Sequence, residues 1–130
     1  MPGWGTGSFE NEDAQSFLGA LKSKEPSDLK TLLARAAQSE DYLNCQESSI
    51  VIAAAEVVAS AKGNPPANVP RQIAEFVEKN SGEPSGDMNE LARRAVEKIR
   101  TNSELKDLWL EADGLNEWSA ALRELERRLS

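Results

Sequence analysis

The chain has no histidine and one cysteine among its 130 residues, and each shortage closes off chemistry. Without histidine, the commonest general acid–base group and the commonest metal ligand are both missing. A single thiol allows neither an intramolecular disulfide nor a cysteine cluster for zinc. Cys45 therefore reads as a small core filler rather than a nucleophile, with no histidine to activate it. Neither a cofactor nor a metal is expected. Aromatic residues are also scarce, at 5% of the chain, so the positions of Trp4, Trp109 and Trp118 carry information. No apolar run approaches the roughly 20 residues needed to span a bilayer. No segment alternates with the period of two that marks a half-buried strand. The N-terminus lacks the basic region and apolar run of a signal peptide, which makes the cytoplasm the expected location.

The charge balance is one-sided, with a formal net charge of −7 and a pI near 4.7. That opposes attraction to nucleic acid and to anionic membranes, so neither is expected as a partner. It suits a basic protein partner, whose identity the residues do not disclose, and it leaves the oligomeric state open. Arg93, Arg94, Lys98 and Arg100, and later Arg123, Arg127 and Arg128, are interleaved with glutamates, several in the i,i+4 order of Glu90–Arg94 and Glu124–Arg128. That pattern describes a solvated face laced with salt bridges.

What the chain does possess is one segment apolar on every side, Ile50 to Ala61, whose only charge is Glu56 and whose only other polar side chain is Ser60. Such a helix has to be buried by the rest of the domain. Gly63 closes it, and it begins near Asp41 or Asn44. The Ile-Val-Ile opening could pass for a buried strand, but a lone strand would lack a partner and the alanines that follow favour helix.

Around it, apolar residues recur at helical spacing. A first helix follows a cap at Asn11, with Glu12 and Asp13 in its first turn and Ala14, Phe17, Leu18 and Leu21 on one face. A second opens at Pro26-Ser27-Asp28 and runs to about Gln38. A fourth has Pro70 at its first position and Ile73, Phe76 and Val77 inward. A fifth is capped by Asp87 and repeats Met88, Leu91, Ala92, Ala95, Val96 and Ile99. A sixth is capped by Ser103 and stopped by Gly114. A seventh is capped by Asn116 and buries Trp118, Ala121 or Leu122, Leu125 and Leu129. The expectation is a single all-α domain over residues 1–130, a compact bundle of six or seven helices around the central buried one.

The residues set apart from this pattern are Trp4, Gly5, Gly7 and Phe9. Glycine and proline exclude a helix there, yet the aromatics are worth roughly 2–3 kcal/mol each if buried, so an ordered loop folded back onto the bundle is expected. Its glycine-rich backbone lacks the lysine and preceding strand of a phosphate loop, although its amides could still face an anion. Glu56 has two readings: solvated in a groove, or accepting hydrogen bonds from this loop or from an arginine. Trp109 and Trp118 read as core anchors, and as a partner surface only if exposed beside Trp4.

Taken in order, Gly3-Trp4-Gly5, Gly7, Phe9-Glu10-Asn11-Glu12-Asp13-Ala14 and Phe17-Leu18, then Ala53-Ala54-Ala55-Glu56, then Leu105, Leu108-Trp109 and Trp118, resemble one family across nearly the whole chain. It is the bacterial family called domain of unknown function 4259, which opens with a Trp-Gly-x-Gly-x-Phe-x-Asn-Asp signature. Pro2 is an extra residue before the usual glycine, Glu12 stands where aspartate is frequent, and Ser16 replaces an acid. The resemblance implies a small helical bacterial protein and assigns no chemistry.

Two functions stand against each other. One is a non-enzymatic interaction module, immunity- or antitoxin-like, that meets a basic protein through charge complementarity. The alternative is a small-ligand binder or enzyme using Glu56 with Asn11 and Asp13 at the glycine loop, which requires these groups to converge on an open pocket. Homodimerisation through exposed aromatics is a third reading.

Overall fold

In α3, Cys45–Ala61, eleven of seventeen residues are buried, and they lie on all sides of the helix. The computed structural model describes residues 12–39, 43–65, 69–80 and 86–129. Within them the chain folds as seven helices: α1 (Glu12–Ala20), α2 (Pro26–Gln38), α3, α4 (Arg71–Lys79), α5 (Gly86–Thr101), α6 (Glu104–Glu111) and α7 (Leu115–Leu129). A 3-10 turn, Leu21–Ser23, follows α1. The all-α bundle agrees with the reading from periodicity, and α3 packs against each of the other six helices. Ala53, Ala54, Ala55 and Ala59 are wholly buried. Their methyl side chains let neighbouring backbones approach from several directions at once. One hydrophobic core takes in residues of all seven helices.

The ends of α3 show how local chemistry sets its length. Its first turn is polar, so its start lies five residues before the apolar run, at Cys45. Asn44 is the cap, its side-chain oxygen accepting from the Glu47 amide at 2.8 Å. The next orphan amide, that of Cys45, donates to the Glu104 carboxylate of α6 at 2.8 Å. The Glu104 amide in turn donates to the Leu43 carbonyl at 2.9 Å, so the starts of α3 and α6 are stitched together. At the far end Gly63 takes a positive φ of 102°, and the Asn64 amide reaches back to the Ala59 carbonyl at 2.9 Å. This is the glycine-dependent closure expected there.

Most other boundaries fall where the capping residues put them. α2 spans Pro26–Gln38, with the Glu25 amide donating to Asp28 at 2.8 Å. Ser103 caps α6 by accepting from the Lys106 amide at 3.1 Å, while its hydroxyl donates to the Ile99 carbonyl at 2.8 Å. Pro70 sits one residue outside α4 as its cap, not inside it. Asp87 lies within α5, which starts at Gly86. Asn11, the expected cap of α1, lies outside the described residues.

The turn between α6 and α7 departs from expectation for a tertiary reason. Asp113, not Gly114, takes the left-handed conformation, at φ 64°. Gly114 is needed for space: a Cβ there would lie 2.6 and 2.8 Å from the Trp109 ring. Its carbonyl accepts from the Trp118 amide at 3.1 Å, so α7 begins at Leu115 and Asn116 falls inside its first turn. Gly114→Ala should therefore lower the unfolding free energy by about 1–3 kcal/mol, since the indole has to move. Asp113→Gly should leave stability unchanged or raise it by up to about 1 kcal/mol. Urea denaturation of the two variants tests this, and equal effects from both would contradict it.

Candidate functional site

Glu56 is the point from which any site in this chain has to be built, because it places a carboxylate in the middle of the buried helix. It is 3% exposed, which rules out the solvated-groove reading. An arginine meets it. Arg128, in the last turn of α7, donates from Nη1 to Glu56 Oε1 at 2.7 Å and from Nη2 to Oε2 at 3.2 Å. This two-pronged geometry matches the planar guanidinium to the carboxylate and gives a strong, directional pair.

The pair sits in a wider polar knot. Arg128 Nε donates to Glu124 one turn back, at 2.8 Å, and Nη1 also reaches the Asn64 carbonyl at 3.3 Å. Asn64 returns a hydrogen bond from its side-chain amide to the Arg128 carbonyl at 2.9 Å. Lys62 donates to the Leu129 carbonyl at 3.0 Å, placing a cation on the negative end of α7. Burial works against the charge of Arg128, but its hydrogen bonds to Glu56 and Glu124 outweigh that and hold the guanidinium above its usual pKa. One turn after Glu56, the Ser60 hydroxyl is buried and has no hydrogen-bond partner among the described residues.

The other expected hub residues do not gather here. Asp13 is half-buried in the first turn of α1, and its charge reaches Cys45 at the opposite end of α3. Cys45 and Glu56 are eleven residues apart on one helix, about 16 Å along its axis. Trp4, Gly5, Gly7, Phe9 and Asn11 lie outside the described residues. Trp109 and Trp118 are core anchors, 2% and 3% exposed, so neither forms a partner surface. The Trp109 indole N–H is buried without an acceptor among the described residues. No group of three or more acidic or cysteine side chains that could hold a metal occurs among the described residues. Within the same limits, no helix is long and apolar enough to cross a membrane.

Sequence reading missed Arg128, which it assigned to a solvated face. The signal was present: Arg128 stands three residues after Leu125 and one before Leu129, at the margin of the apolar stripe of α7. The i,i+4 pairs expected beside it are found, Glu124–Arg128 at 2.8 Å and Glu90–Arg94 at 3.3 Å. A second arginine, Arg100, donates to Glu126 at 2.7 Å and fastens α5 to α7.

Cys45 is half-buried, and burial raises its thiol pKa, with the carboxylates of Glu104 and Asp13 adding to the effect. It is a poor nucleophile at neutral pH. The surface offers a different feature on α6. Leu110 is 57% exposed, and Asp107, Glu111, Asp113 and Glu117, within seven residues of it in the chain, are exposed as well.

The model of the family described as Domain of unknown function (DUF4259) matches residues 3–121. No curated protein and no solved structure matches the chain.

Two outcomes follow from the site. Arg128→Met should destabilise the fold by about 3 kcal/mol, because it leaves the Glu56 charge buried. In a double-mutant cycle with Glu56→Gln by urea denaturation, the coupling energy should be about 2 kcal/mol; a value near zero would mean that the pair does not hold α3 and α7 together. Alkylation of Cys45 by iodoacetamide should rise with pH to a midpoint above that of a free thiol, about 8.5. A midpoint at or below that value would contradict the assigned environment.

Proposed function

The chain belongs to the domain of unknown function 4259 family, and on that premise we propose that it is a non-enzymatic interaction module that binds a basic segment of a protein partner. The observation that carries this reading is the exposed face of α6 and the turn after it. From Glu104 to Glu117 there are five carboxylates against one lysine, which concentrates over half of the chain's net −7 in fourteen residues. Leu110 stands in the middle of that field with most of its surface in water.

An exposed aliphatic side chain within a carboxylate-rich segment supplies both halves of a docking contact. The leucine offers apolar area at the centre, and the carboxylates steer a cationic partner and exclude acidic ones. An immunity- or antitoxin-like role against a basic toxin is the biological form that such a surface fits. A cytoplasmic site of action goes with it. The ligand-binding or enzymatic alternative needs Glu56 open beside Asn11 and Asp13. The burial of Glu56 against Arg128 counts against it.

A photo-crosslinking amino acid placed at position 110, with one at Thr31 on α2 as control, tests the proposal in living cells. One discrete adduct is expected from position 110 alone. Its yield should fall at least tenfold with Asp107→Lys and Glu111→Lys together, and should fall with added salt in lysate. No adduct at position 110, or an adduct indifferent to the charge reversal, would overturn the reading.

A further inference from the structure

We propose that a cleft between the end of α1 and α4 binds a small carboxylate with an apolar body about the size of benzene. It is separate from the α6 face: α4 packs on α1, the 3-10 turn and α3, whereas α6 packs on α3, α5 and α7. The cleft encloses about 170 Å³. Its apolar floor is made by Leu18 and Phe76, which are 2% and 6% exposed. A space of about 150 Å³ with apolar walls is enough to take up benzene. Drug-sized ligands need roughly 300 Å³ or more, so the occupant is small.

Its charge is set by the rim. Lys22 and Lys79 both line the cleft and are exposed, and neither is engaged in an ion pair among the described residues. Glu75 also lines it, but its carboxylate is held by Arg71 at 2.9 Å and its charge is offset there. Two unpaired ammonium groups over an apolar floor, on a chain of net charge −7, form a local electropositive spot. It selects a carboxylate and rejects an amine of the same shape. The opening is kept wide by Gly19, where a Cβ would meet nothing within 4 Å.

That last feature provides a blocking variant that does not threaten the fold. Gly19→Leu adds a side chain at the opening, where a Cβ meets no neighbour within 4 Å, on a helix where leucine is favoured over glycine. The probes are phenylacetate and benzylamine, titrated while the backbone amide resonances are recorded. Phenylacetate should give saturable shifts centred on Gly19, Lys22 and Gln72, with benzylamine at least tenfold weaker. Lys22→Gln with Lys79→Gln should weaken phenylacetate about tenfold, and Gly19→Leu should abolish the shifts with the melting temperature unchanged or raised. The proposal is overturned if phenylacetate gives no saturable shift, if the amine binds equally well, or if Gly19→Leu leaves the titration unchanged.

Discussion

A helix that is apolar on every side can exist in water only if it is covered on every side, and that requirement governs the whole of this structure. α3 meets it by contacting all six other helices. Because its middle is built from alanine and valine, the covering helices lie close and each needs only a narrow apolar stripe. The arginines and glutamates of α5 are thereby freed to face water. The surface of the molecule is thus a by-product of how its centre is packed.

Glu56 is the exception within that helix, and the exception has to be compensated where it stands. A lone carboxylate transferred from water into such a setting would be forced to take a proton or disrupt the packing. Arg128 prevents this by arriving with a planar fork of donors, and it also donates to Glu124 and the Asn64 carbonyl. Replacing such a pair by apolar residues is often neutral for stability. What the pair contributes here is register: α7 can slide along or rotate on α3 only by abandoning it.

Much of this could be read from the residues alone, and the failures share a cause. The burial of α3, the stop at Gly63, the span of α2 and the cap at Ser103 depend on neighbours within four residues, so sequence spacing was sufficient. The family was legible for a related reason, since its signature residues are spread along the chain as short local strings. Arg128 was misassigned because its decisive partner is 72 residues away. Gly114 was credited with a conformational role when the true demand is the Trp109 ring beside it. The α6 face and the α1–α4 cleft were not visible at all, because both depend on which residues the packing leaves uncovered.

The knot that joins the ends of α3 and α7 also sets an order of events during synthesis. Glu56 is made 72 residues before the arginine that neutralises it. At about 5–20 residues per second the interval is roughly 4–14 s. Until it ends, the central helix lacks one of the six helices that cover it.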